Sequence, residues 1–319
     1  MGSSSRSIPI PIGYEDVLAA AGRIAPWAHR TPVMTSRTLD ARCGGTVFLK
    51  CENLQPVNSF KIRGAGNAVL QATDAELANG VVTASAGNMA QGVAYAARLR
   101  GVPATIVVPE GAPETKIAAI ERFGGRVVPL PYDDWWQVLV EGRYEGADGL
   151  FIHPVDNVRV MAGNGTIGLE ILEDLPDVDA ILVPYGGGGL ISGIASAVKA
   201  TNPAVKMCAV EPETGAPAAS ALHGGPHHVE YERSFVDGAG SRSLIEGVWD
   251  HAHALIDDAF AVPLDDAAGA IRLIAEGAGA LATAAALAGK AGTGKVVCVV
   301  SGGNIDPRVF GRILTGETP

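Results

Sequence analysis

Lys61 stands between two apolar residues in the segment Asn58-Ser59-Phe60-Lys61-Ile62-Arg63-Gly64-Ala65. A lysine rarely takes such a place unless its stem packs among apolar groups. Gly64 and Gly66, just after it, allow another group to approach the backbone closely. Burial disfavours the ammonium form, so the amine's pKa falls and it becomes a usable nucleophile or base. That is the chemistry a Schiff-base lysine needs. Taken alone, the same pattern also describes a solvated lysine at a helix start.

Two glycine-rich segments agree with the reactive reading. Ile181-Leu182-Val183-Pro184-Tyr185 is apolar and bounded by a breaker, which predicts a short buried strand. It runs into Gly186-Gly187-Gly188-Gly189-Leu190, after which Ile191, Ile194, Ala197 and Val198 recur at helical spacing. A strand, a glycine turn and a helix start present bare N–H groups to an anion, with the helix dipole behind them. The loop lacks the Lys-Ser/Thr of a nucleoside-triphosphate loop and the spacing of a dinucleotide fingerprint. A small phosphomonoester fits it better, and a plain flexible turn is the alternative. In the second segment, Val296 to Val300 predicts a buried strand ending in Ser301-Gly302-Gly303-Asn304. A hydroxyl there points into the crevice at the strand's carboxyl end, where open α/β sheets bind ligands. Capping the next helix is the other role open to Ser301.

The elements that must position these groups alternate between strand and helix patterns, which favours an α/β fold with mostly parallel sheets covered on both faces. A first helix is expected over 14–25, with Val17, Leu18, Ala21, Ile24 and Ala25 on one side. Strands are expected over 46–50, 81–85, 105–108, 127–128, 207–210, 260–263 and 296–300. The turn Ala86-Gly87 should open a helix carrying Met89, Val93, Ala96 and Ala97 inward. Pro113 marks the start of another helix and Gly124-Gly125 its end. Further helices are expected over 135–145 and after Asn157, the latter with Ile167, Ile171, Leu172 and Leu175. Residues 73–155 read as a small domain, and residues 1–72 with 156–319 as a large one.

These motifs, in this order, resemble those of the serine/threonine dehydratase and serine racemase family of fold-type II pyridoxal-phosphate enzymes. The resemblance runs from about Tyr14 to the end of the chain. It also covers Thr31-Pro32-Val33, Leu49-Lys50-Cys51-Glu52-Asn53-Leu54-Gln55, Ala84 through Val93, His153-Pro154, Ala162 through Thr166, Glu211-Pro212 and Asp237-Gly238. It implies a tryptophan synthase β-like fold of two domains, each a mostly parallel sheet flanked by helices. It implies pyridoxal 5'-phosphate held covalently by Lys61, with its phosphate on Gly186, Gly187, Gly188, Gly189 and Leu190. Asn88 would touch the ring oxygen, Ser301 the pyridine nitrogen, and Phe60 and Glu276 would lie near the ring. Ser85, Ala86, Gly87, Asn88 and Met89 would grip the substrate carboxylate, the small domain closing over it. The implied reaction is β-elimination of water from threonine, serine or a relative, giving a 2-oxo acid and ammonia. Racemization, another pyridoxal-phosphate reaction and a non-catalytic binding protein are the alternatives. A homodimer or homotetramer is the family's habit.

Several positions depart from the family pattern. Ala86 stands where racemizing relatives place a second acid/base serine, which ranks racemization below dehydration. Met89 replaces a usual histidine beside the substrate loop, which puts plain serine or threonine in question. Asn164 stands in place of a glutamine, and Glu276-Gly277-Ala278-Gly279 in place of Glu-Pro. The family's cation site needs Glu211 and a nearby acid, but Pro217 holds the matching position, so no metal is expected. The chain stops soon after Ser301, so no isoleucine-binding regulatory module is expected.

Composition narrows the partners. The 319 residues are 47% hydrophobic and 18% charged, enough for a large core in one or two domains. A net charge of −10 without basic runs argues against nucleic acid. No apolar run reaches the ~18 residues needed to span a membrane. Met1 to Ser7 lacks an apolar core and reads as an unstructured lead, not a signal peptide. Cys43, Cys51, Cys208 and Cys298 are scattered as reduced thiols would be, which suggests the cytoplasm. His227-His228 and His251-Ala252-His253 are read as solvated loop histidines, Asp265-Asp266 as a helix start, and Trp135-Trp136 as core packing beside a capped helix start.

Overall fold

The structure, a computed structural model, describes residues 12–272 and 276–319. The lead expected over residues 1–7 lies outside them. The first six strands are β1 (Val33–Thr35), β2 (Thr46–Cys51), β3 (Val81–Ala84), β4 (Ala104–Pro109), β5 (Gly125–Leu130) and β6 (Leu150–Phe151). They are followed by β7 (Ala180–Pro184), β8 (Lys206–Pro212), β9 (Asp258–Val262) and β10 (Lys295–Val300). The helices begin with α1 (Tyr14–Ile24), α2 (Arg37–Cys43), α3 (Lys61–Gln71), α4 (Asn88–Arg100), α5 (Glu114–Arg122), α6 (Tyr132–Glu141) and α7 (Val158–Asp174). Next come α8 (Gly189–Thr201), α9 (Pro217–Leu222), α10 (Glu246–His253), α11 (Leu264–Ile271), α12 (Gly277–Leu287) and α13 (Pro307–Leu314).

Six strands make one sheet in the order β1-β2-β10-β7-β8-β9, parallel except for the short edge strand β1. The pleat sorts its side chains between two cores. Val296, Cys298 and Val300 of β10 join Ala180 and Leu182 of β7 on the face covered by α11 and α12. Val297 and Val299 join Ile181 and Val183 on the face covered by α7 and α8. Burial on both faces explains why these strands read as continuous apolar runs. The sequence of α12, Gly-Ala-Gly-Ala-Leu-Ala-Thr-Ala-Ala-Ala-Leu, is small enough to lie close on the sheet, and its residues 277–286 are buried all round.

The other sheet, in the order β5-β4-β3-β6, is parallel throughout. Val81, Ala104, Ile106 and Val108 pack beneath α4, and Val82, Ala84 and Val107 beneath α6. Helix α3 lies against both α4 and α7. At Gly163 of α7 a Cβ would sit 2.3 Å from the carbonyl of Arg63, so only glycine permits this approach to the Lys61 helix.

Some local expectations shift. Pro131 and Gly142 (φ +63) bound α6 at 132–141 rather than 135–145. Trp136 is 49% exposed, not core, and Asp133 and Asp134 lie in the first turn of α6 after Pro131 rather than capping it. Pro113 precedes α5 as its cap residue instead of opening it. His251 and His253 belong to α10 rather than to a loop; His251 Nε2 lies 2.8 Å from Ser196 Oγ, and His253 stacks on Trp249. Strands β1 and β6 are too short to leave a periodic signal.

Candidate active site

Strands β2, β10 and β7 are neighbours, and their carboxyl ends converge. The chain leaving β2 returns along the end of β10: Phe60 N–H donates to the Ser301 carbonyl (3.0 Å), and Gly303 N–H donates to the Asn58 carbonyl (2.9 Å). Ser59 pairs antiparallel with Gly302 in the same contact. Asn58 adopts a left-handed φ of +52° to make this turn, a conformation asparagine tolerates better than most residues. Lys61 then opens α3 directly beside Ser301.

Lys61 is half-buried, and its Nζ donates to the Pro154 carbonyl (3.1 Å). The Phe60 ring centroid lies 5.0 Å from Nζ, and Phe60 itself is buried against the sheet. Burial pushes the Lys61 amine down to about 8. At neutral pH its reactive neutral form is therefore on the order of a few hundredfold more abundant than for a free lysine. His153 Nδ1 accepts from the N–H groups of Val155 (3.1 Å) and Asp156 (2.7 Å), which fixes the turn carrying Pro154.

Beyond β7, no N–H from Gly186 through Ile191 donates to an acceptor among the described residues. The buried hydroxyls of Tyr185 and Ser192, on either side of this run, also lack partners. A Cβ on Gly187 would meet Val155 at 2.6 Å, and one on Gly188, whose φ is +92°, would meet the Tyr185 hydroxyl at 2.8 Å. A bare N–H cradle at a helix start flanked by orphaned hydroxyls fits the dianionic head of a phosphomonoester. Asn164 of α7 donates to the Gly189 carbonyl (3.2 Å) while packing against Gly64, tying this loop to the lysine helix.

The turn Ser85 to Asn88 after β3 is half-buried, and Ser85 Oγ accepts from Gly87 N–H (3.2 Å). The N–H groups of Ala86, Asn88, Met89 and Ala90 have no acceptor among the described residues. The Met89 side chain lies in the core under the turn at 2% exposure, on the inward face that its spacing with Val93, Ala96 and Ala97 predicts, and not beside the substrate as the resemblance implies. An apolar, flexible side chain satisfies that core, which leaves only the Met89 backbone N–H for a ligand.

Sequence reasoning placed Glu276 near the ring but missed its partners. Glu276 Oε1 accepts from Asn88 Nδ2 (2.9 Å), and Asn88 Oδ1 accepts from Asn304 Nδ2 (2.8 Å). Burial, reinforced by Asp237, pushes the Glu276 carboxyl up to about 7 against the pull of the Asn88 and Asn304 N–H groups. Asp237 in turn pairs with Lys116 of α5. A Cβ on Gly302 would lie 2.2 Å from Glu276 Oε1, so the glycine after Ser301 makes room for this carboxyl. Asn304 closes the Ser-Gly-Gly-Asn motif, which is the signal that could have found it.

Glu211 lies apart from this cluster. Its carboxyl accepts from the N–H groups of Ala218 (3.2 Å) and Ala219 (2.8 Å), capping α9 where Pro217 opens it. Among the described residues, no group of three or more His, Cys, Asp or Glu is arranged to hold a metal ion.

The family model for pyridoxal-phosphate dependent enzymes matches residues 24–302. This chain belongs to that family. It is 40% identical to the L-threonine ammonia-lyase of Thermotoga maritima, over 95% of this chain and 78% of the relative. It is 39% identical to the catabolic L-threonine dehydratase of Escherichia coli, over 93% of this chain and 94% of the relative. The solved structure of maize serine racemase superposes with a TM-score of 0.88 at 35% identity, covering 95% of this chain and 97% of that one. The fold is therefore that of the fold-type II pyridoxal-phosphate enzymes, and the cofactor is pyridoxal phosphate.

Proposed function

We propose that this member of the family is an ammonia-lyase that removes the β-hydroxyl from threonine, serine or a close relative and yields a 2-oxo acid and ammonia. The reading rests first on the Lys61 amine, which burial keeps near 8 beside the free N–H cradle. Bound pyridoxal phosphate supplies an electron sink for the negative charge developed at the substrate's Cα. Lys61 would hold the cofactor covalently and would serve as the base that takes the Cα proton. Gly186 to Gly189 and Leu190 hold the phosphate through backbone N–H groups. Asn88 meets the ring oxygen, and Ser301, a neutral hydroxyl, meets the pyridine nitrogen without protonating it. The turn Ser85 to Asn88, with the Met89 N–H, grips the substrate carboxylate. Residues 73–155 act as the small domain that closes this grip, and residues 1–72 with 156–319 hold the cofactor.

Ala86 offers no hydroxyl to return a proton from the face opposite Lys61, which favours elimination over racemization. The described residues hold four free cysteines, three of them buried, as suits a reducing cytoplasm. A homo-oligomer completes the proposal. Incubation with a panel of β-hydroxy amino acids, scored for 2-oxo acid and for chirality, tests the reaction. Borohydride reduction and peptide mass spectrometry should find the cofactor on Lys61, and Lys61→Ala should lose both the bound chromophore and turnover. A label on another residue, or turnover retained in Lys61→Ala, would overturn the assignment.

A further inference from the structure

Three side-chain amides and one carboxylate form a chain whose polarity is set by a backbone carbonyl. The Val57 carbonyl only accepts, so the group of Asn304 that lies 2.9 Å from it must be Nδ2. That same Nδ2 is 2.8 Å from the Asn88 amide and must meet its oxygen. Asn304 Oδ1 is fixed in turn by Asn58 Nδ2 at 3.3 Å. Asn88 therefore points Nδ2 the other way, where Glu276 Oε1 accepts from it at 2.9 Å. The second N–H of that Nδ2 has no acceptor among the described residues, and Asn88 is half-buried at the mouth of the crevice. The chain runs from the loop before Lys61 to the first residue of α4, joining the attachment side of the site to its substrate side.

We infer that Asn304 and Glu276 are positioning residues that lock Asn88 as a hydrogen-bond donor toward the cofactor's ring oxygen. Turned this way, Asn88 favours the ring oxygen as a deprotonated acceptor; turned over, it would present a carbonyl and favour the protonated form. Asn304 and Glu276 act only through Asn88 and touch neither substrate nor cofactor in this scheme. The inference rests on the proposed contact between Asn88 and the ring oxygen.

The protonation state of that oxygen is readable in the absorbance of the loaded resting enzyme, as the ratio of its visible to its near-ultraviolet band. Asn304→Asp is nearly isosteric but has no N–H to give, so it should release the Asn88 oxygen and invert the amide. The visible band should then fall toward the level of Asn88→Ala, with cofactor affinity about tenfold weaker, the scale of one lost hydrogen bond in a partly buried site. Glu276→Ala removes the acceptor that anchors Asn88 Nδ2 and should lower the band by a smaller step, since Asn304 still holds the Asn88 oxygen, whereas Glu276→Gln, which can keep an acceptor toward Asn88, should stay near wild type. The double variant Asn88→Ala, Asn304→Asp should be no worse than Asn88→Ala alone. A band that changes in Asn88→Ala but not in Asn304→Asp and Glu276→Ala overturns the positioning role while leaving Asn88 at the ring. A wild-type band in Asn88→Ala overturns the ring contact itself and the inference with it. Melting curves identify a variant that has simply unfolded, and Asn304→Ala then carries the same readout.

Discussion

Arg63 follows Lys61 by two residues on α3, and at 1% exposure it is a buried arginine whose donors are satisfied around its whole head group. Nε and Nη2 grip Glu52 at 2.7 and 2.8 Å, and Nη1 and Nη2 grip Glu170 at 2.7 and 2.9 Å. Thr166 Oγ1 and the His29 carbonyl take further bonds at 3.0 and 3.1 Å. Lys50, also fully buried, bonds Glu170 Oε2 at 2.6 Å, so two cations face two carboxylates. Burial alone would push the Glu52 carboxyl up, but Arg63, with Thr31 and Lys50, holds it below the usual range. Arg63→Met keeps most of the stem volume and strands Glu52 with only Thr31 and Gln55 as hydrogen-bond donors. Leaving one buried charge unpaired costs about 3–5 kcal/mol. For a chain of 319 residues the unfolding entropy is about 0.7 kcal/mol/K, so the thermal midpoint should drop by about 5–8 °C. Calorimetry of the cofactor-free protein at neutral pH measures it. Adding Glu52→Gln to Arg63→Met removes the stranded charge and should recover about half of the loss. A midpoint within about 1 °C of wild type, or a double variant as unstable as the two single losses combined, would refute the reasoning.

Three other outcomes follow from the site. With Lys61 near 8, the rate at which cofactor-free protein takes up pyridoxal phosphate should rise about tenfold per pH unit below 8 and flatten above it, followed by stopped-flow absorbance. Glu276 has a folded pKa raised to about 7 from 4.5, so its contribution to stability is complete below 4.5 and lost as pH rises through 7. Glu276→Gln stays neutral, so its midpoint should gain on wild type across that window, with Asp237 and Lys116 as the nearby charges. Gly188→Ala forces a side chain into φ +92° and against the Tyr185 hydroxyl, and should weaken cofactor binding at least tenfold in equilibrium titration, the scale of a ~1–2 kcal/mol backbone penalty.

The parts of the site written in contiguous residues were legible. The tetraglycine loop, Ser85 to Asn88 and Ser301 each follow a strand with a strong apolar run, at the strand ends the pattern predicts, and Lys61 opens a helix. Strand and helix alternation exposed the parallel sheets, because strands buried on both faces carry an unbroken apolar signal. What stayed hidden depends on contacts between distant segments. The spacing of Met89 with Val93, Ala96 and Ala97 put its side chain on the inward face of α4, but nothing local says that its N–H stays free. Nothing local to Arg63 says that it is buried, and its carboxylates come from Glu52 and Glu170, the latter more than a hundred residues away. Asn304 and Glu276 meet Asn88 only once α12, β10 and α4 have packed.

The division of labour across the crevice follows from which of these contacts are backbone ladders and which are single side chains. The loop before Lys61 is stitched to the end of β10 by the Phe60 and Gly303 N–H bonds and the Ser59–Gly302 bridge. Strand β10 itself pairs with both β2 and β7, so lysine, serine and tetraglycine loop share one sheet. Shifting any of them relative to the others would break a row of buried hydrogen bonds. The opposite wall, carried by β3, α4 and α5, reaches the α12 and β10 side of the crevice through Asn88 with Glu276 and Asn304, and through Lys116 with Asp237. Lys116 and Asp237 are partly exposed, and such a pair is worth about 1 kcal/mol or less. Across the crevice, the proposed closure of residues 73–155 therefore has side-chain contacts to make and break, while behind it α4 stays packed on α3 in one buried core. The Asn88 amide belongs to both walls; opening the small domain must either carry Asn88 away from Asn304 or hold the start of α4 in place as a hinge.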